Sequence, residues 1–172
     1  MTDAPAPYPD DRLATGLQNV QRFFHININC SNFDVSLAFY QRLGFKVVLE
    51  FDEDMSFGET GLGPILRLPD DCDGRAALLA LGDQSGALRL DLIEWKNPIV
   101  KDGPAPNLAR QGFGRICLKV LDADRLHRDL VDAGHTPYTP PGRIQLGGSD
   151  IKVFCVEDPD GVVLEFMEFV KE

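Results

Sequence analysis

The chain has 172 residues, 44% hydrophobic and 26% charged, which suits one globular domain or two small modules that share a core. Its formal net charge of −10 argues against nucleic acid and anionic membranes as partners, because a phosphate-binding surface needs an excess of Lys and Arg. No segment resembles a signal peptide or a membrane span, so we expect a cytoplasmic protein. The four cysteines form no CxxC pair, which argues against a zinc knuckle or a disulfide framework.

The first elements can be predicted from local patterns. Residues 1–18, rich in Pro and Asp, are predicted to be a flexible arm. FFHININC (23–30) alternates apolar and polar side chains, which predicts a half-buried strand whose polar row is His25, Asn27 and Asn29. SNFDVSLAFYQRLGF then predicts a helix that Ser31, Asn32 or Asp34 caps and that Gly44 ends, and FKVVLEF predicts a strand.

The middle of the chain gives weaker signals. GPILRLP (63–69) and RAALLALGD (75–83) are predicted to be strands, although AALLAL also suits a helix by propensity alone. LDLIEW (90–95) is predicted to be a strand, and the Pro-rich residues 96–114 are predicted to be a linker.

The pattern then repeats. RICLKV (115–120) predicts a strand, and LDADRLHRDLVDAGH predicts a helix with Leu126, Leu130 and Val131 as its apolar stripe and Gly134 as its end. Two further strands are predicted at GRIQL (142–146) and DIKVFCVED (150–158), around a tip at Gly147 and Gly148. LEFMEF (164–169) has the same pattern as LDLIEW: apolar, acid, apolar, apolar, Glu, aromatic. The chain is therefore predicted to contain a first module at 19–95 and a second at 115–172.

Two motifs, FHININ…SLAFYQRLGF and FCVEDPDGVVLEFME, resemble the vicinal oxygen chelate superfamily over about residues 20–170. This superfamily includes glyoxalase I, methylmalonyl-CoA epimerase, extradiol dioxygenases and fosfomycin-resistance proteins. The resemblance implies an α+β fold, with two βαβββ modules that form a curved mixed sheet around a cavity. It also implies a small-molecule ligand and a homodimer. The polar row of the first strand would then face the cavity.

The resemblance places the metal-ligand positions of the superfamily at His25, Asp91, Arg115 and Glu165. His25, Asp91 and Glu165 suit one divalent transition metal ion, such as Zn, Fe, Ni, Co or Mn. Arg115 does not, because a guanidinium has no lone pair to offer and repels a dication. The expected cofactor is therefore one metal ion at a degenerate site, or none.

Each candidate residue has a structural alternative. Arg115 would form an ion pair with Asp91 and Glu165, or bind an anionic group of the substrate. His25 would be a metal ligand, a general base or a buried structural residue, and Glu165 would be a ligand or a base.

Other residues are assigned by strand parity. Asn27, Trp95 and Phe169 share the inward parity and are predicted, with Arg115, to contact the substrate, although core packing and solvation explain them as well. Glu94 and Glu168 have the opposite parity and are interpreted as surface or rim carboxylates.

Three functions compete. The first is a glyoxalase- or epimerase-like lyase or isomerase, in which Arg115 or a metal stabilises an enolate while Glu165 and His25 move the proton. The second is a metal-free small-molecule binding or resistance protein of the same fold. An extradiol dioxygenase ranks last, because it needs a second histidine where Arg115 stands.

Overall fold

The computed structural model describes residues 24–51, 65–66, 68–82, 87–99, 113–146 and 149–170. The predicted N-terminal arm, most of the predicted linker and the Gly147–Gly148 tip lie outside these ranges. Within them, no helix is long and apolar enough to cross a membrane.

Each module is a βαβββ unit. The first consists of β1 (Ile26–Asn29), α1 (Phe33–Arg42), β2 (Lys46–Phe51), β3 (Asp73–Leu81) and β4 (Leu88–Asn97). The second consists of β5 (Ile116–Lys119), α2 (Ala123–Asp132), β6 (Gly142–Leu146), β7 (Ser149–Glu157) and β8 (Val163–Phe169).

The strands form two four-stranded mixed sheets, in the orders β1-β4-β3-β2 and β5-β8-β7-β6. In each sheet the module's first strand runs parallel to its last strand, and the other neighbours are antiparallel. The predicted α+β class and the two-module arrangement are confirmed.

Both helices begin and end where the sequence predicts. The side chain of Asn32 accepts a hydrogen bond from the backbone N–H of Val35, as an N-cap residue does. Asp122 caps α2 in the same way. After the helices, Gly44 and Gly134 have φ values of 95° and 89°. Glycine enters this left-handed region without the steric cost that a Cβ brings.

The strand predicted at 63–69 is wrong. Ile65 and Leu66 have helical backbone geometry, and β2, β3 and β4 complete the first module without a strand from this segment. A short apolar run cannot be assigned by pattern alone. AALLAL does form a strand, within β3, where Ala76, Ala77 and Leu79 are fully buried. Burial of both sheet faces explains its nearly continuous apolar sequence.

The larger of the two hydrophobic clusters in the described residues contains side chains from both modules. It includes Ile28, Phe39 and Leu90 of the first module together with Leu130 and Phe154 of the second. The apolar stripe predicted for α2 is partly wrong. Val131 is 46% exposed, while Ala123 at the start of the helix is fully buried.

The turn between β7 and β8 links the modules. The buried carboxylate of Asp158 accepts a hydrogen bond from the Tyr40 hydroxyl at 2.7 Å. Asp160 accepts from the Ser31 amide and from the Ser36 hydroxyl. α1 of the first module is therefore bonded to two carboxylates of the second.

Candidate functional site

The polar rows lie on the sheet faces that point away from the helices. In the first sheet Asn27 is paired with Asp91, while their neighbours Ile28 and Leu92 belong to the core on the opposite face. In the second sheet Cys117 is paired with Glu165 in the equivalent register. Each module therefore presents its first-strand and last-strand polar residues side by side.

In the first module, His25 and Asp91 contact each other. The distance between His25 Nε2 and Asp91 Oδ2 is 3.9 Å, and the Asn27 amide donates to both the carboxylate and the carbonyl of Asp91. Burial raises the pKa of Asp91, and the lowering effects of His25 and Asn27 are smaller. The Nδ1 atom of His25 is buried and has no hydrogen-bond partner in the described part of the chain.

In the second module, Arg115 forms an ion pair with Glu165. Arg115 Nε lies 2.9 Å from Glu165 Oε1, and the arginine side chain is 42% exposed while that of Glu165 is 11% exposed. Burial, together with a hydrogen bond to Glu165 and the charge of that carboxylate, raises the pKa of the Cys117 thiol to about 11. The thiol is therefore protonated at neutral pH, which argues against a resident thiolate nucleophile.

The two pairs remain separate. Among residues that the structure describes, no hydrogen bond or ion pair joins the His25–Asp91 pair to the Arg115–Glu165 pair. Of the two acids that were predicted to pair with Arg115, Glu165 contacts it and Asp91 does not.

The donor set does not fit a metal ion. No group of three or more His, Cys, Asp or Glu side chains in the described ranges is arranged to hold one. An oxygen of Glu165 already accepts from a guanidinium, which would repel a dication at that point. Within one chain, His25, Asp91 and Glu165 therefore do not form the metal site that the superfamily resemblance implies.

The other predicted contact residues lie on the same faces as the two pairs. Trp95 donates its indole N–H to Asn29 Oδ1 at 2.9 Å. Phe169 is 44% exposed, and the Lys119 ammonium lies 4.7 Å from the centre of its ring. Lys119 and Cys117 share the strand parity of Arg115, so they lie on the same face as that residue.

The interpretation of Glu94 and Glu168 as surface or rim carboxylates is wrong. Glu94 Oε2 accepts from the amide of Phe33 at 2.9 Å, and Glu168 Oε2 accepts from the amide of Ala123 at 2.8 Å. Each carboxylate thus binds the first amide of its module's helix, where the helix dipole favours negative charge. Both residues occupy the fifth position of the repeated motif, which is the signal that sequence analysis could have used.

Comparison with known proteins assigns the family. The profile of the Glyoxalase/Bleomycin resistance protein/Dioxygenase superfamily matches residues 22–166. The chain belongs to this superfamily. The superfamily name covers both enzymes and a resistance protein, so membership is compatible with catalysis and with binding alone. No curated protein sequence matches the chain significantly.

Solved structures of the superfamily share the fold at low identity. A glyoxalase family protein from Bacillus cereus is 17% identical with a TM-score of 0.68, over 91% of this chain and 100% of that one. A trypanothione-dependent glyoxalase I from Leishmania major is 22% identical with a TM-score of 0.56, over 87% of both chains. A glyoxalase I mutant from Zea mays is 17% identical with a TM-score of 0.58, and the match covers 85% of this chain and 44% of the maize chain.

Proposed function

We propose that this superfamily member binds a small anionic carbonyl compound through Arg115, without a metal ion. The observation that supports this is the 2.9 Å contact between Arg115 Nε and Glu165 Oε1 on an open sheet face. This contact is made at Nε, so it involves one of the five N–H groups of the guanidinium. The four N–H groups on its terminal nitrogens make no hydrogen bond to other described residues, and their fork geometry matches a carboxylate.

Glu165 would act in this proposal as the group that orients Arg115. Because the carboxylate is buried and fixed in the sheet, it holds the guanidinium in one orientation before the ligand arrives. This preorganisation reduces the entropy that binding would otherwise cost. The guanidinium also supplies the positive charge that an anion needs on a chain whose net charge is −10.

Ligand binding to chelator-treated protein tests the proposal. We expect 2-oxo acids such as pyruvate and phenylpyruvate to bind by isothermal titration calorimetry, with affinity unchanged by EDTA. Arg115→Met should weaken binding about 10-fold or more, and Arg115→Lys should weaken it because a point charge cannot form the bidentate contact. Arg125→Met, which removes an arginine from a more exposed ion pair on α2, is the control. Binding that needs a metal, or that survives in Arg115→Met, would contradict the proposal.

A second candidate is the glyoxalase- or epimerase-like lyase or isomerase, which the His25–Asp91 contact supports. A histidine beside a carboxylate is a common proton-transfer pair, and Arg115 would stabilise the enolate that forms. NMR would detect exchange of solvent deuterium into the carbon next to the carbonyl of a bound ligand. We expect His25→Gln to abolish that exchange while binding persists. If the wild-type protein catalyses no deuterium exchange, the lyase or isomerase candidate is contradicted and ligand binding alone is supported.

The homodimer and the cytoplasmic location stay predictions. Sedimentation equilibrium should give a mass near twice the 19.0 kDa of the chain. A monomer at every concentration would contradict the homodimer.

A further inference from the structure

We propose that the ligand is elongated and carries a second anionic group, which Lys119 binds while the ring of Phe169 holds the ammonium in place. This inference rests on the proposed function, because Arg115 holds the first anionic group. Arg115 directly precedes β5 and has the same parity as Cys117 and Lys119 within it, so the three side chains share the face that also carries Glu165, Met167 and Phe169 of β8. We call this surface the open face of the second sheet.

Lys119 has the features of an anion-binding group. In the described ranges no carboxylate lies within ion-pair distance of its ammonium, which instead lies over the exposed ring of Phe169. Lys152 of the same sheet, by contrast, pairs with Asp124. A lysine whose contact is an aromatic face keeps its N–H donors available, and the ring holds the ammonium in place.

The spacing defines the ligand. Four residues of an extended strand separate the Cα atoms of Arg115 and Lys119 by about 13 Å. The open face between them includes Cys117, and Met167 next to Val153 of β7 provides apolar surface beside Lys119. The matching class is a dicarboxylate, or a similar dianion, whose charged ends are joined by methylene groups or an aromatic ring.

A series of linear ligands tests the spacing. Calorimetry on chelator-treated protein would compare the α,ω-dicarboxylates from succinate to sebacate with monocarboxylates of equal length. We expect a long dicarboxylate to bind about 10-fold more tightly than its monocarboxylate, and succinate to show no such gain. Lys119→Gln should remove the gain and leave monocarboxylate affinity within about twofold. Lys96→Gln, which removes an exposed charge from β4 in the first sheet, should keep the tighter binding of the long dicarboxylate.

The outcomes separate this inference from the proposed function. If dicarboxylates and monocarboxylates bind equally, or if Lys119→Gln keeps the gain, the second subsite is refuted while Arg115-dependent binding stands. If neither class binds and Arg115→Met changes nothing, both proposals are refuted.

Discussion

Removing the Tyr40 hydroxyl should destabilise the link between the modules. In Tyr40→Phe, the buried carboxylate of Asp158 loses the donor at 2.7 Å and keeps the backbone amides of Asp160 and Val162. A hydrogen bond to a charged group contributes about 2 kcal/mol, so we expect the free energy of unfolding to fall by that amount. For a chain of this length the melting temperature should drop by about 4–8 °C. Urea unfolding measures the first effect and thermal unfolding the second, each followed by circular dichroism.

The loss in free energy of unfolding caused by Tyr40→Phe should change with pH in a defined direction. Burial raises the pKa of Asp158 above its ordinary 3.8, and the Tyr40 hydrogen bond opposes this effect. The folded state therefore binds the proton more tightly than the unfolded state, and this group's stabilising contribution declines as pH rises through its folded pKa. Tyr40→Phe removes a donor to the charged carboxylate and so raises the pKa of Asp158 further. The loss in free energy of unfolding that this variant causes should therefore be full above the folded pKa of Asp158 and smaller below it.

Tyr138→Phe is the matched control for this experiment. Its hydroxyl donates to Glu157 at an exposed position, where we expect a loss below about 0.5 kcal/mol. A Tyr40→Phe protein as stable as the Tyr138→Phe protein, or a loss that grows toward acid pH, would refute the reasoning.

Three further predictions concern single residues. Glu168→Ala should cost about 1 kcal/mol in urea unfolding, because the first amide of α2 loses its acceptor, and an unchanged midpoint would contradict this. Alkylation of Cys117, followed by peptide mass mapping, should titrate at about pH 11 and shift to lower pH in Glu165→Gln, since the carboxylate raises the thiol pKa. Gly134→Ala should cost about 1 kcal/mol or more at φ +89°, whereas Gly114→Ala, which meets open space without a positive φ, should be neutral. Equal effects of the two alanines would show that strain is not the cause.

The parts of the fold that were predicted correctly depend on local chemistry. The side chain of Asn32 and the backbone freedom of Gly44 act within one helical turn, so their positions in the sequence were enough to predict α1. The segment at 63–69 and the AALLAL stretch both required knowledge of neighbouring strands. Only the second is part of a sheet in which both faces are buried.

The site could be predicted as far as strand parity allows. The resemblance grouped His25, Asp91, Arg115 and Glu165 at one site, but which acid meets which base depends on the parallel pairing of the first and last strands of each module. Parity also predicted correctly that Glu94 lies on the sheet face opposite to Asp91. It could not show that the N-terminus of α1 lies against that face, because the hydrogen bond from Phe33 to Glu94 joins residues 61 positions apart in the sequence.

The hydrophobic cluster that runs through both modules couples the stability of one repeat to that of the other. Ile28 and Phe39 of one repeat belong to the same apolar cluster as Leu130 and Phe154 of the other. A cut between the repeats would expose to water the side chains at which the two parts of this cluster meet, so we expect each fragment to be less stable than the intact chain, and the intact chain to unfold in a single cooperative transition. The two copies of the repeated pattern would then behave as one folding unit.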